Sequence, residues 1–321
     1  MRYIYPQPAP CERETAMRDD FDPSPGMPET LVPGLRRILA PNPSAMTYRG
    51  TNTYLLGETD LAVIDPGPSD AAHLEAILHA VSKGQRITHI LVSHAHLDHS
   101  PLAQALARET GAPVLAYGNA AAGRSAIMTA LAAAGAYRSG EGVDHAFIPD
   151  RTIADGERID GAGWSLTALW TPGHFGNHLC FQWGSHVFTG DLVMGWASSL
   201  ISPPDGDLSD FMTSCRRVRA LGPAVLHPGH GAPVTEATAR IDWLIAHRQS
   251  REAEVFTALS HGPASAPELA ARIYTDTPPQ LLPAATRNVL AHLIDLAGRN
   301  RVRCDDPLHE NARFSAVPDT A

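Results

Sequence analysis

Cysteine is scarce in this chain: four in 321 residues, Cys11, Cys180, Cys215 and Cys304, far apart and with no C-x-x-C pair. That is too few for a disulfide framework at this length, so they read as free thiols in a reducing compartment. Lysine is scarcer still. Lys83 stands alone, and 25 basic residues against 34 acidic ones leave a net charge of −9. A balance of that sign argues against tight, unspecific binding to nucleic acid or to anionic membranes. There is no run of about eighteen apolar residues, and no apolar stretch behind a basic region within residues 1–10. These absences speak against a membrane span and a secretion signal, and the expected location is cytoplasmic. What is abundant is apolar material: 44% hydrophobic against 18% charged residues. That suffices to bury a large core, in one big domain or in a big one with a small partner.

Along the chain, residues 1–30 are rich in proline and charge without periodicity, and are expected to form a surface arm that carries no chemistry. Short apolar or β-branched runs at 34–39, 53–56 and 61–64 then read as consecutive strands, closed by Asp65-Pro66-Gly67-Pro68. Ser69 or Asp70 caps a helix expected to reach about Lys83, where Gly84 stops it. A buried strand at 87–92, a helix at 101–109, a strand at 113–117 and an alanine-rich helix at 119–134 continue an alternating β/α order. From 147 to 193 the pattern turns to strands, at 147–148, 152–153, 158–159, 164–170, 179–183 and 186–189, which predicts a second sheet. A helix at 207–221 and a strand at 224–226 close this part near 235. Beyond it come a long helix carrying Ile241, Leu244, Val255 and Leu259, a helix capped by Ser265, a helix carrying Leu290, Leu293 and Leu296, and the short run Arg301-Val302-Arg303. Helix, helix, helix and ribbon is the outline of a winged helix.

The most specific stretch is His94-Ala95-His96-Leu97-Asp98-His99, three imidazoles and a carboxylate at the end of a buried strand. Neutral imidazole and carboxylate are good ligands for zinc and other borderline divalent ions. A histidine-rich surface turn is the bland alternative, but H-x-H-x-D-H is far more specific than an ordinary short motif. Further donors follow predicted strands at Thr171-Pro172-Gly173-His174, at Thr189-Gly190-Asp191 and at His227-Pro228-Gly229-His230. The glycines let the backbone turn sharply, so that a short side chain can approach an ion at about 2.0 to 2.2 Å.

On these residues the chain resembles the metallo-β-lactamase superfamily, whose pattern of H-x-H-x-D-H, then H, then D, then H is matched at every position over roughly residues 31–234. The resemblance implies an α+β fold: a four-layer αββα sandwich with metals at one sheet edge, followed by a small helical winged-helix-like domain. It implies that His94, His96 and His174 hold one ion, that Asp98, His99 and His230 hold a second, and that Asp191 bridges them. Asp65-Pro66-Gly67 looks like the turn this family places beneath its metals. Two divalent ions are therefore expected, zinc first, with iron or manganese suited to the same donors. A bound divalent ion lowers the pKa of its water from near 16 to about 7, so hydrolysis by metal-bound hydroxide is the implied reaction, with Asp98 as the catalytic residue that orients the nucleophile.

Residues 190–196 and 203–208, together with the helical end, look like the branch that contains β-lactamase-like protein 2, in which a winged-helix-like tail follows the lactamase domain. Residues 247–252 and 273–278 fit it too. The expected division is a proline-rich arm at 1–30, a catalytic domain at 31–235, a linking helix and winged-helix-like domain at 236–310, and a tail at 311–321. That branch includes a nuclease acting on single-stranded RNA. Residues 240–304 nevertheless hold eight arginines, no lysine and six carboxylates, a net of +2, and show no aromatic-basic RNA signature. A small-molecule ester, thioester or lactone therefore ranks first as substrate, single-stranded RNA second, and a winged-helix binding protein without catalysis third. Glyoxalase II shares the ligand set but uses a basic tail that this chain lacks, and antibiotic-cleaving members are usually secreted and have no helical tail. Winged helices also serve as dimer modules, so a homodimer stays open. Phe175, Trp196, Ser198 and Ser199 follow ligand positions and are the candidate pocket residues, although Trp and Phe are more often core. His178 and His227 are expected either to hydrogen-bond a ligand or to pack in the core.

Overall fold

The computed structural model describes residues 21–135, 142–304, 308–309 and 311–317. Seven strands, β1 (Glu29–Val32), β2 (Leu35–Leu39), β3 (Asn52–Leu56), β4 (Asp60–Ile64), β5 (Arg86–Leu91), β6 (Val114–Ala116) and β7 (Arg151–Thr152), form a first sheet in that spatial order. β1 to β4 pair antiparallel and β4 to β7 pair parallel. The change of direction follows from the connections, because parallel neighbours need a crossover. Helices α1 (Ala71–His79), α2 (Ala103–Thr110) and α3 (Ala126–Ala134) lie in those crossovers. The Asp70 carboxylate accepts the His73 N–H at 2.7 Å and fixes where α1 starts.

The second sheet holds β8 (Arg158–Gly161), β9 (Trp164–Trp170), β10 (Leu179–Trp183), β11 (His186–Gly190) and β12 (Val225–Pro228), ordered β12-β11-β10-β9-β8. Only β11 and β12 run parallel, and α4 (Leu208–Ala220) makes their crossover. Tyr54, Leu56, Ile64 and Leu91 from the first sheet meet Leu166, Phe181 and Phe188 from the second in a buried layer. Ile77 of α1 and Leu106 of α2 cover the outer face of the first sheet. Phe211 and Val218 of α4 and Ile241 and Leu244 of α5 (Ala237–Leu259) cover that of the second. The result is four layers in the order αββα, as the resemblance implied.

The far end of α5 enters a separate core with α6 (Ala266–Ile273), α7 (Leu282–Gly298) and a three-stranded sheet, β13 (Ala264–Ser265), β15 (Arg313–Ala316) and β14 (Val302–Cys304), with β15 in the middle. Ser265 and Glu268 cap α6 reciprocally. Met128 and Leu131 of α3 pack into this same core, which ties the winged helix to the sandwich. No helix among the described residues is long and apolar enough to cross a membrane.

Several boundaries differ from the expectations. The first helix stops at His79, because Ser82 and Gln85 close a turn in which the Gln85 side chain accepts the Ser82 N–H. The alanine-rich helix begins at Ala126, where Ser125 caps it, since Asn119 spends its side chain on a turn through Ala121. Residues 147–148 form no strand; Asp144 turns the chain there. Residues 29–30, expected in the arm, open the first sheet. Most of the arm, Cys11 included, lies outside the described residues, whereas residues 313–316, expected in a tail, are the central strand of the wing. A strand so short, paired with segments far away in sequence, leaves no periodic signal. Phe314 is fully buried in the winged-helix core. Phe314→Ala should therefore cost about 3–5 kcal/mol of stability, measured by denaturant unfolding; a loss below about 0.5 kcal/mol would return this segment to a tail.

Candidate metal centre

All the sequence-predicted donors stand on loops just past strand ends, along one edge of the sandwich. β5 delivers the 94–99 loop, β9 leads to His174, β11 to Asp191 and β12 to His230. Two glycines permit the approach. Gly173 has φ +141°, and a Cβ there would strike the Phe211 backbone at 2.3 Å; a Cβ at Gly229 would lie 2.5 Å from the Asp191 carboxylate.

The donor atoms fall into two groups, His94, His96, His174 and Asp191, and Asp98, His99 and His230, each with its members within 4.8 Å of one another. In the first group His96 Nδ1 lies 2.8 Å from His94 Nε2 and 3.1 Å from His174 Nε2. In the second, His230 Nε2 is 3.1 Å from Asp98 Oδ2 and 3.3 Å from His99 Nε2. Asp191 faces both groups: Oδ2 lies 3.6 Å from His174 Nε2 and 3.5 Å from His230 Nε2, and Oδ1 lies 3.5 Å from His99 Nε2.

The outer nitrogens of these rings decide what the inner ones offer. His174 Nδ1 donates to the Leu200 carbonyl at 2.6 Å and His230 Nδ1 to the Gly50 carbonyl at 3.1 Å. His99 Nδ1 donates to Asp65 Oδ2 at 3.0 Å. Ser93 Oγ donates its own proton to Asp65, so it takes the Nδ1–H of His94 at 2.9 Å. Four rings in their neutral form thus turn an Nε2 lone pair inward, and His96 turns Nδ1. The Asp65 carboxylate also accepts the Ser93 N–H at 2.7 Å, and its own backbone sits at φ 51°. This is the turn that the Asp-Pro-Gly sequence signalled.

The electrostatics call for a cation. Asp98 and Asp191 have no Lys or Arg within ion-pair distance among the described residues, only histidines. The Asp191 Oδ1 atom is buried and accepts no hydrogen bond. Burial alone would drive the proton off His99, but the carboxylates of Asp98, Asp191 and Asp65 outweigh it and raise that ring to about 9. Burial, with His99 close by, pushes His94 well below its ordinary value, and burial pushes His96 down to about 3. One side of the site therefore demands positive charge and the other presents bare lone pairs. Converging neutral imidazoles, two carboxylates and an unsatisfied buried oxygen fit a pair of divalent ions.

The family model described as the Metallo-beta-lactamase superfamily matches residues 46–230, which is more than half of the chain. The chain belongs to the metallo-β-lactamase superfamily. A second model, the beta-lactamase associated winged helix domain, matches residues 265–307. A β-lactamase-like protein 2 homolog of Caenorhabditis elegans is 27% identical over 296 residues, 89% of this chain and 89% of that protein. An atrochrysone carboxyl ACP thioesterase of Aspergillus fumigatus is 33% identical over 247 residues, 74% of this chain and 69% of that protein. Among solved structures, a metallo-beta-lactamase family protein from Thermus thermophilus superposes with a TM-score of 0.71 at 26% identity, covering 90% of this chain and all of that one. The chain is thus an enzyme of a hydrolase superfamily whose fold usually binds divalent metal ions, built in the form that carries a winged helix.

A metallo-β-lactamase site needs an opening, and here a cleft of about 690 Å³ lies over the donors. Trp196 and Ser198 line it. Phe175 and Ser199, expected beside them, do not: both are fully buried. Phe175 packs its ring 4.8 Å from His96, beneath the site, because the turn after His174 heads inward. Ser199 points away and donates to the Leu192 carbonyl at 3.0 Å. His178 accepts the Asp191 N–H at 3.2 Å, so it supports a donor, whereas His227 stacks on His186 and Phe188 in the core. Sequence reasoning missed Asn52, whose side chain donates to the carbonyls of Pro228 at 3.0 Å and Gly231 at 2.8 Å and so grips the His230 loop. An asparagine next to a β-branched run was the available signal. Because Asp65 holds His99 and Ser93 together, Asp65→Asn should lower divalent-metal affinity by about 10–100-fold in a chelator competition; an unchanged affinity would deny Asp65 that role.

Proposed function

We propose that this chain is a dinuclear-metal hydrolase of an uncharged ester, thioester or lactone whose acyl portion is apolar. The observation that carries this reading is the chemistry of the cleft. His96, Asp98, His174 and Asp191 form its floor, and among the described residues no Lys or Arg lines it. Its rim exposes Met46 and Leu97, and Trp196, Tyr274 and Leu281 stand in its walls. A phosphodiester or an RNA backbone would place charge here with no Lys or Arg among the described lining residues to meet it, and this supports ranking RNA second. The thioesterase name of a relative that is 33% identical supports a thioester among the candidates.

His94, His96 and His174 would hold one ion, Asp98, His99 and His230 the other, and Asp191 would lie between them. When bound, such a pair supplies Lewis acidity and water acidified to a pKa of about 7, and zinc is the ion we expect. Asp98 is the catalytic residue. Burial opposes its ionisation, but His99 and His230 outweigh burial and hold its carboxyl below the usual range. Its side chain is a quarter exposed and lines the cleft, so an ionised oxygen faces the space where water enters. There it accepts a hydrogen bond from the attacking water and orients the lone pair toward the acyl carbon. The apolar walls exclude competing water and seat the acyl group. The buried thiols Cys180 and Cys215 fit a reducing, cytoplasmic setting.

A panel of an apolar thioester, an ester, a lactone, a phosphodiester and single-stranded RNA tests the substrate class. Chelation should abolish turnover of the acyl substrates and zinc should restore it. Asp191→Ala should lose ion stoichiometry and about 100-fold or more in kcat; full metal content with full activity in that variant would refute the bridge. RNA cleavage that exceeds acyl hydrolysis and vanishes in His96→Ala would reverse the ranking.

A further inference from the structure

His174 is aimed by the Leu200 carbonyl, which takes its Nδ1–H at 2.6 Å. Both neighbours of Leu200 are pinned by helices that run on into the winged helix. The Ser199 carbonyl accepts from the Arg248 guanidinium, and the Ile201 N–H donates to Asn288 Oδ1 at 3.0 Å. Arg248 Nη1 donates to that same Oδ1 at 3.1 Å, so arginine, asparagine and loop backbone form one closed set of hydrogen bonds. Arg248 stands on α5 and Asn288 on α7, helices that build the winged-helix core.

We propose that Arg248 and Asn288 are positioning residues through which the winged-helix module fixes the ring of His174, and that they thereby set the affinity of the metal group to which His174 belongs. The proposal rests on the reading of His174 as a metal ligand. Its physical basis is the cost of Arg248. The side chain is 2% exposed, forms no ion pair among the described residues, and leaves Nε without an acceptor. Burial pushes its pKa down to about 10, which keeps it charged at neutral pH. A buried guanidinium with no carboxylate partner is expensive even with the Phe211 ring 5.4 Å away, and an apolar side chain of similar volume would fill the space without that cost. What the charge accomplishes is visible in its partners: it holds the carbonyl before Leu200 while Asn288 holds the amide after it. With Leu200 clamped on both sides, His174 keeps its proton on Nδ1 and its lone pair on Nε2. Leu200 and Asn288 also line the cleft, so an occupant of the cleft touches the clamp directly.

The test uses the full chain with zinc, a competing chelator and ¹⁵N-labelled histidine. Arg248→Met keeps the length of the side chain and removes its donors; Asn288→Ala removes the acceptor with a smaller change in packing. Each should weaken one of two zinc-binding steps by about 10-fold or more and leave the other step unchanged. Each should also lose the protected Nδ1–H resonance assigned to His174 by its absence in His174→Ala. Arg248→Lys, which retains a donor toward Ser199, should recover part of the affinity. If folded variants bind both ions as the parent does and keep the resonance, the clamp is refuted; if Arg248→Met does not fold, Asn288→Ala and Arg248→Lys decide by the same readouts. His174→Ala separates the two readings, because unchanged zinc binding in that variant would overturn the ligand assignment itself.

Discussion

Every feature of this site depends on keeping imidazole protons turned outward. A buried histidine is held with a lone pair toward a cation when its other nitrogen has an acceptor to donate to. The chain supplies one such acceptor for each of four rings: the Leu200 carbonyl for His174, the Gly50 carbonyl for His230, Asp65 for His99 and Ser93 for His94. None of these acceptors lies on the same loop as the ring it serves, except Ser93. The centre is therefore assembled only when the two sheets, the Gly50 turn and the 199–201 loop all reach their final places. Its chemistry is a late product of tertiary packing.

The sandwich is suited to that task because it gathers loops from strands far apart in sequence. β4, β5, β9, β11 and β12 all end at the same edge, so Asp65, His94, His174, Asp191 and His230 meet although 165 positions separate the first from the last. Rigid β layers set the starting point of each loop, and side-chain grips such as Asn52 on Pro228 and Gly231 remove the slack that remains. Glycine at 173 and 229 then lets backbone and ligand come closer than any other residue would permit.

The clustered donors were legible because metal coordination would restrict residue type, spacing and placement together. H-x-H-x-D-H after a buried run has few other uses, and the later donors each follow a strand and lie beside a glycine. The sheets were legible for a similar reason: Leu61 to Ile64 and Leu179 to Phe181 are apolar runs bounded by turn residues. The supporting contacts were not. Arg248 has only its register to mark it, spaced with Ile241 and Leu244 on the buried face of α5, and one charge on an apolar face says that something is gripped without saying what. Phe175 and Ser199 were misplaced because proximity in sequence to a ligand does not tell which way the next side chain points. Residues 313–316 read as a tail because a four-residue strand acquires its meaning from distant partners.

The same reasoning bears on why a winged helix accompanies this site. The +2 charge of residues 240–304 is a weak footprint for nucleic acid, and several of its arginines are already committed, among them Arg240 to the Met194 and Ala197 carbonyls, Arg248 to the Ser199 carbonyl, Arg251 to Glu254, and Arg299 to Glu252 and Asp295. What the module does contribute lies on its inner side. Tyr274, Leu281 and Asn288 stand in the cleft wall, and Asn288 also belongs to the clamp behind His174. One surface thus meets both the cleft and the loop that holds the ring of His174. A module used only to read nucleic acid would need its helices turned outward; here they are spent on the cleft, which fits a hydrolase whose substrate is chosen by the shape and apolarity of a wall shared between two cores.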